Sequence, residues 1–419
     1  MTRLAYAFLW WLATPFVWLR LAWRARRQPG YLEAWRERFG HYAPVEKAQR
    51  IWIHAVSVGE TRAAAPLVEA LAARYPRHRI LLTHMTPTGR ETGRSLFGDR
   101  VERAWLPYDY GFATRRFLAH FTPAIGILLE TEIWPRLIEE CAHAGTPIVL
   151  ANARLSERSA RRYARWPALT RWALGNLSGI AAQSRDDAGR FTALGAAPPT
   201  VTGNVKFDVG PPSDATRKAH ALRERIGADR LAWVVGSTRD GEEALILDAF
   251  AAASVDPSVV LVLVPRHPQR FDEAASLAAA RGFKVARRSD PGAFPRETRV
   301  VIGDSMGEMA AYYEAADVVI MGGSLLAFGS QNLIEACAAG KPVIVGPSTY
   351  NFEEAAAGAI AAGAALRVND AAEAIQAATD LAREPQRRLQ MGARACEFVA
   401  AHRGAVNRLL EWLAPRIEG

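Results

Sequence analysis

"IWIHAVSVGETRAAAPLVEAL", residues 51–71, decides the fold. Ile51, Ile53, Val56 and Val58 make a short apolar, β-branched run that stops at Gly59. Glu60 follows at once, and an Ala-rich pattern of helical period begins. A buried strand that turns directly into a helix is the opening unit of a parallel α/β sheet. In such sheets ligands sit beyond the carboxyl ends of the strands. Glu60 therefore stands where chemistry is done, as a general base whose pKa burial and a neighbouring carboxylate could raise. It has a plain alternative: an acid in the first turn of a helix offsets the helix dipole, worth about 0.3–1 kcal/mol.

The same alternation recurs along the chain. Strands are expected at 51–56, 79–84, 125–130, 147–151, 178–182 and 200–203. "DVGPPSDATRK" (208–218) interrupts the pattern with Gly and Pro and reads as a linker. A second series is expected at 232–236, 259–264, 283–287, 299–302, 318–321 and 343–345. Two such series predict an α/β protein of two Rossmann-like domains facing a cleft. The expected boundaries are 1–30 for an amino-terminal anchor, 31–207 for the first domain and 208–419 for the second, with the last helix free to cross back.

The 419-residue chain carries a formal net charge of +9, which suggests an anionic partner. Residues 1–40 hold seven Arg against Glu33 and Glu37. "LAYAFLWWLATPFVWLRLAW" (4–23) is uncharged from Leu4 to Leu19, 16 residues. A span usually needs about 20, so a short span and a helix lying in the interface both remain open. Trp10, Trp11, Trp18, Trp23 and Trp35 suit headgroup depth, and the arginines after the apolar run place the bulk of the chain in the cytoplasm. A cleaved signal peptide would carry its charge first and its small-residue site last. Cys141, Cys337 and Cys396 are too far apart for a disulfide framework or a zinc signature. The chain has no G-x-x-x-x-G-K-[ST] and no G-x-G-x-x-G after a strand, which argues against a kinase, ATPase or dehydrogenase. Without H-E-x-x-H or a His/Cys/Asp cluster, no metal is expected.

Polar residues collect at the expected strand ends. In the first half, "THMTPTGRE" (83–91) offers Thr86, Thr88 and Gly89, and "LLETEIWP" (128–135) offers Glu130 and Glu132. In the second, "VGSTRDGEE" (235–243) reads as a turn suited to phosphate contact through backbone N–H groups. "VPRHPQRF" (264–271) adds Arg266 and His267, "GDSMGEM" (303–309) adds Ser305 and Gly307, and Glu335 opens a helix where it could accept from ribose hydroxyls. Glu130 and Glu335 share the plain alternative of dipole compensation. Together the second set describes a nucleotide held by helix starts without a metal.

"HAVSVGE", "THMTPTG", "LPYD", "LETEIWP", "ANARLSERS", "GNVKFD", "VPRHPQRF", "GDSMGEM" and "QNLIEACAAGKPVIVGP" occur in one order across the chain. In these motifs it resembles the 3-deoxy-D-manno-octulosonic acid (Kdo) transferases of Gram-negative bacteria, almost end to end. The resemblance implies a GT-B fold with an amino-terminal membrane-anchor helix, an acceptor-binding first domain and a CMP-sugar-binding second domain. It implies an inverting, metal-independent glycosyltransferase without a cofactor, moving Kdo from CMP-Kdo to the lipid A precursor (lipid IVA) at the cytoplasmic face of the inner membrane. Glu60 matches the general base, and Glu130 and Lys206 match positions that stabilise the transition state. Pro265 and Arg266, then Met306, Gly307 and Glu308, then Asn332, Leu333, Ile334 and Glu335 match the CMP-binding segments. The family often reads "GGHNPLEA" where this chain reads "GSQNLIEA" (329–336), so Gln331 replaces a His and Leu333 a Pro.

The stretch 154–171 carries Arg154, Arg158, Arg161, Arg162, Arg165 and Arg171 with Tyr163 and Trp166. It could pass for a nucleic-acid face or a solvated helix. A phosphorylated lipid acceptor or a bilayer surface fits the resemblance better, and no nucleic-acid partner is expected. The competing functions are another membrane-associated GT-B enzyme with a different nucleotide sugar, and a non-catalytic lipid- or nucleotide-binding module.

Overall fold

The computed structural model describes residues 3–418, apart from the side chain of Leu4. The chain forms two compact units: Met1–Val209 with Arg403–Gly419, and Gly210–His402.

The first unit is built on β1 (Arg50–His54), β2 (Arg79–His84), β3 (Glu102–Trp105), β4 (Pro123–Leu129), β5 (Ile148–Ala153), β6 (Gly179–Ala182) and β7 (Thr200–Val201). These pair in parallel in the order β3-β2-β1-β4-β5-β6-β7. Helices cover both faces, and all five residues of β1 are buried. Ile51 and Ile53 pack with Ile125, Ile127, Leu67 and Leu71 on one face, and Trp52 with Phe117 and Leu128 on the other. Each fully buried side chain of this size contributes about 1.5–3 kcal/mol, so the central strands form a stiff base for the loops they carry. Strand order reverses between β1 and β4, the topological switch point at which such sheets bind ligands.

The second unit repeats the plan with β8 (Leu231–Thr238), β9 (Val259–Pro265), β10 (Val285–Arg287), β11 (Val300–Ile302), β12 (Val318–Met321), β13 (Val343–Val345) and β14 (Ala365–Arg367). The parallel order is β10-β11-β9-β8-β12-β13-β14, reversing between β8 and β12. The carboxyl-terminal helix Ala405–Ile417 belongs to the first unit. Asp208 accepts from the N–H groups of Gly404 and Val406, both at 2.6 Å, and Leu409 and Leu413 join the β1 core.

Two strands have no counterpart in the expected series. β3 reads Glu-Arg-Ala-Trp, and its Glu102 is engaged by buried Arg50 at 2.6 Å, so an ion pair replaces an apolar run. β14 is a three-residue edge strand, too short to show a period.

The amino-terminal residues form one helix, Arg3–Arg27, through Pro15. Among the described residues no helix, Arg3–Arg27 included, is long and apolar enough to cross a membrane. One side of the Arg3–Arg27 helix is docked: Tyr6 donates to Asp109 at 2.6 Å, Trp10 meets Tyr110, Trp18 stacks on Phe39, and Leu21 and Ala25 are buried. Phe8, Leu12, Phe16, Leu19 and Trp23 remain exposed. Their spacing of four, four, three and four residues is one helical stripe.

Candidate active site

In the first unit the loop after β1 runs into the helix Val58–Arg74. Ser57 is its cap, with Oγ 3.5 Å from the Glu60 N–H. Ser57 Oγ donates to Glu60 Oε1 at 3.0 Å, and the Val56 N–H donates to Glu60 Oε2 at 2.8 Å. This is a reciprocal serine–glutamate cap. The plain alternative for Glu60 is therefore real, and it does not compete with a chemical role, because the same bonds fix the carboxylate. Thr86, after β2, braces the loop by donating to Val56 O at 3.0 Å. Gly89 is required beside it, since a β-carbon there would lie 2.9 Å from Val56 O. At Gly59 a β-carbon would meet only Ser57 Oγ, at 4.0 Å, so no protein contact demands that glycine.

Glu130 follows β4, the neighbour of β1 across the switch point. It adopts φ +58°, a left-handed conformation disfavoured for a residue with a β-carbon. Strain of this kind persists only where the surroundings over-determine it, and it clusters at functional sites. Here the Glu130 N–H is held by Ala151 O at 3.1 Å, and Lys206 Nζ lies 2.6 Å from Glu130 Oε1. Lys206 sits in the short 3-10 turn Val205–Asp208, whose start is pinned by Asn204 and by Asn152 Oδ1 accepting from the Val205 N–H.

The electrostatics divide the carboxylates. Burial, then Glu130 and Glu132, raise Glu60 to about 7, against the opposing bonds from Val56 and Ser57. Burial also pushes Glu130 upward, but the charge and hydrogen bond of Lys206, with Arg154, outweigh it and hold Glu130 below the ordinary carboxylate range. Glu132 is raised by burial and by Glu130, despite the bond from Trp134. The first unit thus holds one carboxylate poised to take a proton near neutrality beside one kept ionised, the pattern of a base and its electrostatic support. Glu60, Glu130 and Lys206 stand together. Glu132 and Arg154 belong to the same cluster; Arg154 directly follows β5, and the strand-end rule applied there would have found it.

In the second unit the loops after β8 and β12 are knotted by Glu242. Its buried carboxylate accepts from the N–H groups of Arg239 (2.8 Å), Gly323 (2.6 Å) and Leu325 (3.0 Å). The expected phosphate contact at "VGSTRDGEE" is thus partly filled by the protein's own acid. Beside it Glu243 accepts from Thr238 at 2.8 Å and pairs with Arg270 at 3.0 Å.

Arg266 follows β9. Its N–H bonds Thr238 O at 3.1 Å, and its guanidinium donates to Gln331 Oε1. Position 331, where the resemblance breaks, is therefore in contact with an expected ligand residue. Asn332 caps the helix Leu333–Ala338 and donates to Glu335 Oε1 at 2.9 Å. Pro265, Leu333 and Ile334 are buried. The Ile334 N–H is already taken by Asn332 Oδ1 at 3.2 Å. Met306 is exposed, and Gly307 has φ +78° with open space where a β-carbon would stand. Glu308 is engaged by Ser305 at 2.7 Å and Lys218 at 3.2 Å. Residues 303–307 also spell G-x-S-x-G, the pattern of a hydrolase nucleophile. Ser305 Oγ bonds Glu308 and Tyr312, with no imidazole in contact among the described residues. Among the described residues no cluster of His, Cys, Asp and Glu could hold a metal.

Residues 33–209 match the family model of 3-deoxy-D-manno-octulosonic-acid transferase (kdotransferase), and residues 294–398 match that of glycosyl transferases group 1. A 3-deoxy-D-manno-octulosonic acid transferase of Bordetella pertussis is 46% identical over 414 residues, covering 95% of this chain and 96% of the relative. Its namesake in Haemophilus influenzae is 37% identical, covering 100% of this chain and 99% of the relative. In fold alone, a UDP-GlcNAc 2-epimerase from Neisseria meningitidis superposes with a TM-score of 0.61 at 15% identity, over 88% of this chain and all of that one. Its likeness fits the GT-B arrangement of two parallel sheets. The chain belongs to the 3-deoxy-D-manno-octulosonic acid transferase family of glycosyltransferases.

Proposed function

We propose that the protein transfers Kdo from CMP-Kdo to a lipid A precursor, by inversion and without a metal, with Glu60 as the general base. Glu60 takes the proton of an acceptor hydroxyl as the hydroxyl oxygen bonds to the anomeric carbon. The bond from that carbon to the CMP phosphate oxygen breaks, and CMP leaves with the electron pair. Lys206, held by Glu130, faces charge on the leaving phosphate and on the Kdo carboxylate, where a fixed cation is worth most. The observation that carries this reading is the Glu60–Glu130–Lys206 cluster at the switch point, with Glu60 raised to about 7. CMP release measured with and without lipid acceptor tests it. Release equal in both conditions, or a product lacking the added mass of Kdo, refutes it.

The charge arrangement predicts a pH dependence. The base must be ionised, so the rate climbs as pH rises through about 7. Glu130→Gln removes a negative neighbour and, with it, the carboxylate that offsets the Lys206 charge. Both changes favour ionised Glu60, so the acid limb of the kcat/KM profile moves to lower pH. Burial, the larger cause, remains, so the limb stays above an ordinary carboxylate. An unmoved limb would separate Glu60's titration from Glu130.

For the nucleotide, the support is Arg266 at the end of β9 with Asn332 and Glu335 at the neighbouring helix start. Arg266→Ala weakens CMP by one charge-assisted contact, about 1.5–3 kcal/mol or roughly 10- to 150-fold. Calorimetry giving wild-type affinity would remove Arg266 from the site.

The exposed stripe of the helix Arg3–Arg27 is read as an interfacial anchor on the inner membrane, its apolar side chains among the acyl chains and its arginines at the headgroups. Arg158, Arg161, Arg162 and Arg165, all exposed, add about 1 kcal/mol each near an anionic surface. Phe8→Asp with Phe16→Asp should reduce flotation with anionic vesicles. Undiminished flotation would place the anchor elsewhere.

A further inference from the structure

The second unit has two adjoining cavities, of about 310 and 230 Å³, that share Ala316, Asp317 and Lys341. Asp317 immediately precedes β12, and Lys341 stands two residues before β13. The cavities therefore open at the amino ends of these strands. Arg266, Gln331 and Asn332 follow the carboxyl ends of β9 and β12, on the opposite edge of the sheet.

Lys341 is half-buried, and among the described residues its ammonium makes no hydrogen bond and no ion pair. The acids around it are already engaged. Asp317 Oδ2 accepts from the Ala232 N–H at 2.8 Å and from Arg223 at 2.9 Å, and Glu314 accepts from Thr216 at 3.1 Å. Arg388, on the wall of the larger cavity, adds a second cation whose side-chain bonds, among the described residues, go to the backbone carbonyls of Leu381 and Ala382. Burial, the main cause, and Arg223 press the lysine toward its neutral form, with Asp317 and Glu314 opposing. The rest of the wall includes Pro342, Leu389 and Ala393 with the free thiol of Cys396 beside them. A partly desolvated cation whose neighbouring carboxylates are bonded elsewhere is stabilised by any anion that reaches it, and the larger cavity falls within the size range of small-molecule sites.

We propose that this cavity binds a small organic anion, a carboxylate or phosphate ester with a short apolar body, with Lys341 as its ion-pair partner and Leu389 and Ala393 against the apolar part.

Ligand-observed NMR titration of the full-length protein tests this, with glycerol 1-phosphate and with hexanoate at constant ionic strength. At least one should saturate below about 10 mM. Lys341→Met should weaken it at least about tenfold, while Lys341→Arg, which keeps the charge, stays close to wild type. Arg266→Ala should leave it unchanged. Selection of one probe over the other identifies the preferred head group. On the wild-type protein, the same probe should slow acetylation of Lys341 by acetic anhydride several-fold, read by peptide mass; this arm decides if the methionine variant does not fold. The proposal is overturned if neither probe saturates, if Lys341→Met binds as tightly as wild type, if Arg266→Ala abolishes binding, or if acetylation of Lys341 is unprotected.

Discussion

A Glu60→Gln variant should turn over about 10²–10⁴-fold more slowly than wild type while binding CMP with unchanged affinity. Glutamine keeps the size of the side chain and one oxygen to accept from Val56 or Ser57, so the loop after β1 retains its shape. It cannot take a proton at neutral pH, and that loss falls on the transition state alone. Glu60→Asp should lie between the two, because one methylene fewer draws the carboxylate back from the hydroxyl. Stability should move the other way. Glu60 is raised from about 4.5 to about 7 in the fold, so the folded state binds its proton more tightly than the unfolded state. Wild-type stability from this group is therefore greatest below about 4.5 and is lost as pH rises to about 7. Glutamine does not titrate, so the variant gains relative to wild type across that window, less the small cost of a weakened cap. Turnover and melting temperature measured on one sample separate base from cap. A variant that keeps more than about a tenth of wild-type turnover would eliminate Glu60 as the base.

The parts of this arrangement differ in how visibly the sequence carries them. β1, β2, β9 and β12 are apolar runs that end in glycine, threonine or a charged residue, and a one-dimensional pattern shows them directly. Glu60 is visible for the same reason, since it interrupts such a pattern at its end. β3 and β14 are hidden because edge strands need little apolar surface, and Glu102 of β3 is satisfied by Arg50 from β1, a partner 52 residues away. Lys206 is opaque to patterning: an isolated lysine in "GNVKFD" looks solvated, and only the resemblance marked it. Its role as partner to Glu130 depends on a left-handed residue at the end of β4 and on Asn152 fixing the turn that carries it. The same holds for Gln331, a departure from the family motif that proves to contact Arg266. Acids in a helix's first turn look alike in sequence, and the fold alone distinguishes Glu60, poised near neutrality, from Glu242, enclosed among amides.

Glu242→Ala should destabilise the second unit by about 3–5 kcal/mol, the cost of breaking a buried charged network from one side. The carboxylate is fully buried and accepts from four amides of two loops, those of Arg239, Gly323, Leu325 and, at 3.4 Å, Leu326. Alanine leaves those N–H groups without an acceptor in a place water reaches poorly, and each orphaned donor costs about 1–3 kcal/mol. Gln retains one carbonyl oxygen and should lose roughly half as much. The loss is local at first. Gly323 and Leu325 lie in the loop after β12, and the loop continues to Gln331 and Asn332. Arg239 follows Thr238, whose carbonyl holds the Arg266 N–H. CMP affinity should therefore fall in a variant that touches no expected ligand residue. Hydrogen exchange read by mass on peptides spanning 236–245 and 321–330 gives the local measure: a loss of about 3–5 kcal/mol corresponds to exchange faster by about two to four orders of magnitude. Exchange unchanged in both peptides would mean that the two loops hold each other without Glu242, through the backbone bonds between Gly322 and Gly236 and between Gln331 and Gly322. Acceleration confined to 236–245 would leave the loop after β12 outside its reach.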